Sequence, residues 1–461
     1  MALRKILVAN RGEIAVRIIR AARELGIATV QAVSAADRSM LAAQLADEVA
    51  EVGPAHAAKS YLNQSAILDA ARRSGADAVH PGYGFLSENP EFAAAVEDAG
   101  LVFVGPRAAT VRDMGDKAQA RQLAAAAGVP TVPGTAGCVE DPGAIQDAAA
   151  RIGFPVMIKA AAGGGGRGLR VAHDADQLAA LVPQARAEAK AAFGDDAVYL
   201  EHFIAKARHV EVQVLGDGER VVHLFERECS VQRRRQKLWE EAPAACLTPM
   251  LRDALCEAAV RLARHIGYRG AGTMEFLLDD ASGAFFFIEM NTRIQVEHPV
   301  TEMVTGVDLV REMIRIAGGE SLRWSQADIR LAGHAIECRI NAEDAAHDFR
   351  PAPGEVTRLR VPGGPGVRFD SMLYPGYLVP PFYDSLLGKL IVWDEDRPAA
   401  LRRMARALAE LEVGGIATTI PLHRQLATDR DMAAQALHTR WLEHWLNEQA
   451  WAHSGKEARR A

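Results

Sequence analysis

Val156-Met-Ile-Lys159-Ala-Ala-Ala-Gly163-Gly-Gly-Gly166-Arg-Gly168-Leu-Arg-Val-Ala172 is the stretch on which the fold turns. Gly163, Gly165 and Gly168 satisfy the spacing GxGxxG. A dinucleotide fingerprint must open a helix, yet Leu169-Arg-Val-Ala172 has the apolar, β-branched character of a strand. Neither Gly-Lys pair in the chain, Gly388-Lys389 or Gly455-Lys456, belongs to a Walker A motif. What remains is a glycine-rich hairpin between two strands, able to lay backbone N–H groups over phosphates. Lys159, at the end of the incoming strand, is placed to meet the same ligand.

Outward from this loop the chain divides. Residues 1–113 alternate strands and helices, with Lys5–Ala9, Thr29–Val33, Ala78–Val79 and Leu101–Val104 as strands, which predicts an open α/β sheet. Its first turn, Ala9-Asn-Arg-Gly12, holds one glycine and is assigned no nucleotide. Residues 114–330 form a second unit, with the glycine loop inside a subdomain of about 132–203. Residues 331–446 make a third, and 447–461 a polar tail. At 461 residues, 49% apolar and 24% charged, the chain suits several packed domains. A net charge of −6 argues against nucleic-acid or membrane-surface binding. No apolar run approaches the ~18 residues of a membrane span. Five scattered cysteines without a CxxC pair suit a reducing, cytoplasmic setting and no zinc framework.

Two strand-like runs, Gly272–Leu277 and Phe285–Met290, flank the turn Asp279-Asp-Ala-Ser-Gly283. A turn centred near Ser282 sets Leu277 opposite Phe287 and Glu275 opposite Glu289. Opposed side chains have Cβ atoms about 5 Å apart, so two carboxylates there call for a cation between them. Oxygen ligands beside phosphates point to Mg²⁺, or Mn²⁺, with Asn291 as a further donor. The second run continues as Glu289-Met-Asn-Thr-Arg-Ile-Gln-Val-Glu297-His-Pro. At strand period Glu289, Asn291, Arg293, Gln295 and Glu297 share one face, a set suited to a metal beside a small planar anion. Nine residues would span about 26 Å as one strand, so a turn or bulge is expected near Thr292–Ile294. In isolation, Lys237 in Gln232-Arg-Arg-Arg-Gln-Lys-Leu-Trp reads as an exposed basic run, and Glu337 with Arg339 as a surface ion pair.

These residues carry a close family resemblance. From Ala9-Asn-Arg-Gly-Glu-Ile-Ala15 onward the chain resembles the biotin carboxylase component of biotin-dependent carboxylases, an ATP-grasp enzyme. The likeness runs through His80–Asn89, Met114–Lys117, the glycine loop, Arg208–Glu211, Glu228–Gln232, Gly267–Thr273, Glu289–Pro299, Glu337–Asp344 and Tyr383–Ser385. It implies an α/β ATP-grasp fold with a mobile glycine lid between an N-terminal and a C-terminal biotin carboxylase domain. It implies that ATP phosphorylates bicarbonate to carboxyphosphate, and that biotin N1 is then carboxylated. By position Lys117, Lys159, Gly163, Gly164, Gly165, Gly166, His209 and Gln232 resemble the ATP-binding set. Glu201, His202 and Ile204 resemble the adenine hinge. Glu275, Glu289 and Asn291 match the metal ligands; the first two also count among the ATP contacts. Lys237, Arg293, Gln295, Val296 and Glu297 match the bicarbonate site. Arg339 matches the residue that holds the biotin ureido oxygen, and with Lys237, Arg293 and Glu297 it makes up the expected catalytic group.

The sequence departs from the family pattern at Ala161-Ala162, Ala207, Arg235 and Pro365. None of its twelve methionines precedes a lysine, so no biotinylation motif is present. Biotin is therefore expected on a separate carrier protein, or the chain is a truncation of a longer one; a carboxyltransferase is expected as a further partner and a homodimer as the family's assembly. Two rivals are weighed: an ATP-grasp ligase passing bicarbonate or another carboxylate to a different acceptor, and a catalytically silent nucleotide-binding module.

Overall fold

The computed structural model describes residues 3–135, 137–139, 141–160 and 169–448. The expected lid glycines Gly163, Gly164, Gly165 and Gly166 lie outside the described residues. Strands β1 (Lys5–Val8), β2 (Ala28–Ser34), β3 (Glu48–Gly53), β4 (Ala78–His80) and β5 (Val102–Phe103) form a parallel sheet in the order β3-β2-β1-β4-β5. Its first crossover is the helix Gly12–Glu24, which buries Ile14, Ile18 and Ile19 and ends at Leu25, before Gly26 at φ 72°. Short strands alternating with helices produce the open α/β sheet that the sequence predicts, with one strand more than expected: the largely exposed edge strand β3, Glu48-Val-Ala-Glu-Val-Gly53, has too few buried positions to stand out.

A small antiparallel sheet follows, in the order β7-β6-β8, from β6 (Val156–Ala160), β7 (Arg170–Ala172) and β8 (Val198–His202). The helices Pro142–Ile152 and Ala175–Phe193 cover it through Ile145, Ala149, Leu178 and Val182. Strands enter and leave the glycine stretch on both sides, so no helix follows it. The linker 128–134 is tied down. The Pro130 carbonyl accepts from the Phe287 N–H, and the Pro133 carbonyl from the His202 N–H. Gly134 is pressed so closely on β8 that a Cβ would stand 2.6 Å from the Leu200 carbonyl oxygen.

The largest element is an eight-stranded sheet. It contains β9 (Ala207–Asp217), β10 (Val221–Arg233), β11 (Gln236–Ala242), β12 (Arg269–Asp279), β13 (Phe285–Asn291), β14 (His334–Asn341), β15 (Val367–Ser371) and β16 (Leu386–Asp394). Their order is β13-β12-β9-β10-β11-β14-β16-β15. Backbone pairing of β11 with β14 carries this sheet across residue 331, where the third unit was expected to begin. The cores behave likewise: one cluster joins Ile14 and Ile18 to Leu215, Ile294, Met372 and Tyr377. The last described helix, Trp441–Glu448, takes in the first two residues of the expected polar tail.

The β12–β13 hairpin confirms one expected pair and corrects another. Glu275 does face Glu289, but Leu277 faces Phe286, not Phe287. The register slips by one between Glu275 and Phe276, so Ile288 is the extra residue of a bulge. The strand reading also fails beyond Asn291. There β13 ends, and Glu297 already sits at the N-cap of the helix His298–Thr305. The expected bend at Thr292–Ile294 is therefore present, and it breaks the supposed single face.

His80 and His223 each accept a backbone N–H through Nδ1, from Gly82 at 3.1 Å and Phe225 at 3.3 Å. Burial pushes their pKa down, to about 3 and about 4. An unfolded imidazole titrates near ~6.5. Between these values the unfolded chain binds protons that the folded one refuses, so stability falls as pH drops below ~6.5. The melting temperature should fall by at least about 5 °C between pH 7 and pH 5. His80→Asn with His223→Asn should flatten part of that slope. A melting temperature level down to pH 5 would show that these rings are not held neutral.

Candidate active site

Three adjacent strands carry a row of acids. Glu289 on β13 faces Glu275 on β12, and Glu275 faces Glu211 on β9. Strands lie about 4.8 Å apart, so the three carboxylates crowd one face of the sheet. Arg227, opposite Glu211 on β10, continues the row as a cation and is fully buried. Its guanidinium donates to Glu211, Gln213, Thr273, Gln295 and Thr301, which ties β9, β12, the turn after β13 and the helix His298–Thr305 to one charge on β10.

Lys237 stands over this row. Its ammonium donates to Glu211 Oε2 at 2.6 Å, Glu275 Oε1 at 2.9 Å and Glu297 Oε1 at 2.7 Å. The exposed-run reading of Lys237 is thereby corrected: Arg234 and Arg235 are exposed at the turn, while pairing with β10 carries Lys237 inward. Burial works against its charge, but the three carboxylates hold its pKa well above the usual lysine range. In return, and against their burial, Lys237 and Arg227 hold Glu211 well below the ordinary carboxylate range. Lys237 and His209 do the same for Glu275.

His209 Nε2 lies 3.2 Å from Glu275 and 3.5 Å from Glu211. Burial alone would discharge this ring, yet Glu275 draws its pKa up to about 9. Gln232 contacts the other ring nitrogen at 3.1 Å. Glu289 differs from the other acids of the row. Burial, then repulsion from Glu275, raise its pKa, and Lys117 at 3.7 Å is its nearest described cation. Glu275 and Glu289 thus repel across adjacent strands, and two carboxylates set side by side fit a hard divalent cation. Asn291 turns its Nδ2 to Glu275 at 2.9 Å, while its Oδ1 accepts from Arg293 at 2.7 Å.

Past the bend, Gln295 donates to Glu275 at 2.9 Å, and the Val296 carbonyl accepts from Lys389 at 2.8 Å. Arg293 donates to Glu88 at 2.8 Å, a residue of the loop after β4 that sequence reasoning gave no role. Glu297 joins two cations, accepting from Lys237 on one oxygen and from Arg339 Nη2 at 2.9 Å on the other. These cations outweigh its burial and hold its pKa low. Arg339 also donates to Glu240 at 2.6 Å. Glu337 is no surface partner for it: that carboxyl is fully buried opposite Glu240, and burial pushes its pKa far up. The surface ion pair is therefore absent because β14 lies inside the sheet, with neighbours on both sides.

On the small sheet Lys159 and Arg121 both pair with Glu201, and Lys159 also lies 5.9 Å from the Tyr199 ring centroid. The His202 N–H is taken by Pro133, and Ile204 follows just beyond β8. Lys117 is the first residue of the helix Lys117–Ala126, whose N-cap is Asp116. Lys117, His209, Lys237, Glu275, Glu289, Asn291, Arg293, Gln295, Glu297 and Arg339 are thus linked by direct contacts or by shared partners, while Lys159 and Glu201 form a separate cluster on the small sheet. Sequence reasoning passed over Arg227, Glu240, Glu88 and Lys389. Arg227 could have been flagged, because Phe225-Glu-Arg-Glu228 places charges in the interior of a strand, where burial demands partners.

Three family models match the chain in sequence order. They are the biotin carboxylase N-terminal domain over residues 2–111, the carbamoyl-phosphate synthase L chain ATP-binding domain over 116–325, and the biotin carboxylase C-terminal domain over 337–444. The chain is 56% identical to a biotin carboxylase of a Nostoc species over 92% of its own length and 94% of that protein. It is 53% identical to the biotin carboxylase of Haemophilus influenzae, covering 96% and 98%, and 54% identical to the chloroplastic biotin carboxylase of Arabidopsis thaliana, covering 93% and 80%. Two solved structures superpose closely. The biotin carboxylase domain dimer of Hydrogenobacter thermophilus 2-oxoglutarate carboxylase, in complex with MgADP, ADP and bicarbonate, gives a TM-score of 0.89 at 48% identity, covering 96% of this chain and 98% of that one. Biotin carboxylase of Campylobacter jejuni, in a complex named for β-γ-ATP, gives 0.90 at 46%, covering 96% and 99%.

Removing the central ammonium should unfold more than it disarms. Lys237→Met leaves Glu211, Glu275 and Glu297 buried without it and should lower stability by about 3–5 kcal/mol. Denaturant midpoints at neutral pH check this. The deficit should shrink as pH falls and the uncovered carboxylates take up protons. A loss independent of pH would mean the lysine acts by packing alone.

Proposed function

The chain belongs to the biotin carboxylase family, and from that premise we propose that the acid row and its cations phosphorylate bicarbonate with ATP and pass the carboxyl group to biotin. The protein is an ATP-dependent ligase of the ATP-grasp type. The observation that carries the residue assignment is Glu297, held between Lys237 and Arg339 at one end of a row whose other end is the like-charged pair Glu275–Glu289.

ATP lies between the small sheet and the large one, with Lys117, Lys159 and His209 toward the phosphates, Gln232 beside them, and the strand end Glu201–Ile204 toward the base. Lys117 begins a helix whose first N–H groups are capped by Asp116, so its ammonium is what this end offers an anion. Glu275 and Glu289, with Asn291 beside them, hold Mg²⁺ or Mn²⁺, and the repulsion that raises Glu289 is relieved by such an ion. When bound, the ion neutralises charge on the transferred phosphoryl group.

Arg293 and Gln295 grip bicarbonate, with Lys237 and the Val296 backbone beside them. A guanidinium has five donors in a planar fork, which matches a planar carboxylate-like anion. Arg293 spends Nε on Glu88 and one Nη2 N–H on Asn291 here, so bicarbonate binding exchanges or adds to those bonds. Glu297, kept ionised by Lys237 and Arg339, takes the bicarbonate proton as oxygen attacks the γ-phosphoryl group. The labile carboxyphosphate needs protection from water. Arg339 then stabilises the enolate-like ureido oxygen of biotin, a charge that exists only late in the reaction. Its Glu240 partner fixes the guanidinium while the bond to Glu297 is exchanged for biotin.

Biotin arrives on a separate carrier protein, a carboxyltransferase consumes the product, and the chain pairs as a homodimer. The flanking matches on both sides of the ATP-binding model support this acceptor over a carbamoyl-phosphate-type one. No described helix is long and apolar enough to cross a membrane, and the chain works in the cytoplasm in this reading.

Arg339→Ala should lower biotin carboxylation by about 10²–10³-fold, with a much smaller loss of bicarbonate-dependent ADP release. Parallel assays of the two products decide it: a joint fall to background removes the assigned role. Glu289→Gln should raise the Mg²⁺ concentration needed for half-maximal ADP release. An unchanged Mg²⁺ titration would take Glu289 out of the metal site.

A further inference from the structure

Lys389 is fully buried on β16 and belongs to none of the groups assigned above. It faces Arg339 on β14 across one edge of its strand and Asp370 on β15 across the other. Its ammonium donates to the Val296 carbonyl at 2.8 Å and lies 3.1 Å from Glu13 Oε1. Glu13 belongs to the first helix of the N-terminal sheet and also accepts from the Tyr83 hydroxyl. One ammonium thus joins three distant parts of the chain at the back of the anion-binding turn. Burying such a charge is costly unless it is paired, and here one of its contacts is a neutral backbone carbonyl.

We infer that Lys389 is a positioning residue for bicarbonate, fixing the Val296–Glu297 peptide plane and so the direction in which the Glu297 carboxylate leaves the backbone. The inference rests on the function proposed above. A carbonyl that rotated away from the buried ammonium would forfeit its hydrogen bond with no water at hand to replace it, so ψ of Val296 and φ of Glu297 are held together. Glu297 has φ −79° and ψ 5° at the helix start, a sparsely favoured bridge conformation that benefits from an external tie. The Val296–Glu297 peptide is the middle of a turn in which the His298 N–H reaches the Gln295 carbonyl at 3.4 Å, and the Lys389 ammonium holds the Val296 carbonyl within that turn.

The test separates holding the turn from holding the domains. ADP formation by the full chain is measured against bicarbonate and against MgATP for Lys389→Met, Glu13→Gln and the double variant, with thermal unfolding alongside. Lys389→Met should raise KM for bicarbonate about tenfold or more, with KM for ATP within about twofold. Glu13→Gln leaves the Val296 bond in place, so both constants should stay within about twofold. The double variant leaves no lone charge and should behave like Lys389→Met. An unchanged bicarbonate KM, a parallel rise in both constants, or an equal effect from Glu13→Gln would overturn the inference. So would a double variant that fails to fold, since that assigns Lys389 to stability alone. A wild-type protein whose ADP release ignores bicarbonate would instead overturn the function on which the inference rests.

Discussion

Three carboxylates side by side on one sheet face cannot all stay ionised unless positive charge is supplied from above or beside them. Lys237 and Arg227 supply it to Glu211 and Glu275, and the rest of the site takes its shape from that requirement. Lys237 must reach inward, so the β10–β11 turn has to project its neighbouring arginines to solvent. Glu297 must come close enough to share the ammonium, so the chain has to bend after Asn291. Glu289 lies outside the reach of this cation and is left as the unbalanced member of the row, the place where a mobile ion is most useful.

The same sheet explains why the third unit is inseparable from the second. β14 adds Arg339 directly beside β11, bringing the guanidinium to the far side of Glu297. The Glu275–Glu289 pair, the Lys237–Glu297 contact and Arg339 thus lie along neighbouring strands instead of across a hinge. The N-terminal sheet contributes through Glu88, which accepts from Arg293, and through Glu13, which meets Lys389 and accepts from the Tyr83 hydroxyl. Electrostatic preorganisation of this kind needs rigid neighbours, and buried ion pairs between strands supply them.

Much of the fold was legible because its elements are locally encoded. The parallel sheet, the cap Asp116 before the helix Lys117–Ala126, and the strands either side of the glycine stretch follow from periodicity, capping chemistry and turn residues. The facing of Glu275 and Glu289 was also legible, although the assumed register holds only beyond the bulge at Ile288. Bulges leave weak sequence signals, because one extra residue preserves the apolar character of both strands. The strand reading of Arg293–Glu297 failed for a related reason. Polar and apolar residues alternate there by chance of function, since a turn lining an anion site also needs polar groups at intervals.

The sequence by itself determined which residue types are available: glycines between two strands, acids on the facing strands of a hairpin, and arginines beside them. It also determined the family, because long specific motifs run the length of the chain. Only the tertiary structure decided which charges meet. Lys237 lies 26 residues from Glu211, 38 from Glu275 and 60 from Glu297, yet touches all three. Arg339 lies 99 residues from Glu240, and Lys389 lies 93 from Val296. Such pairings depend on strand order and register in a sheet assembled from distant segments, and local propensity does not encode them. Charge in a buried site is balanced by whatever the fold brings near, so a residue's role follows from its neighbours in space.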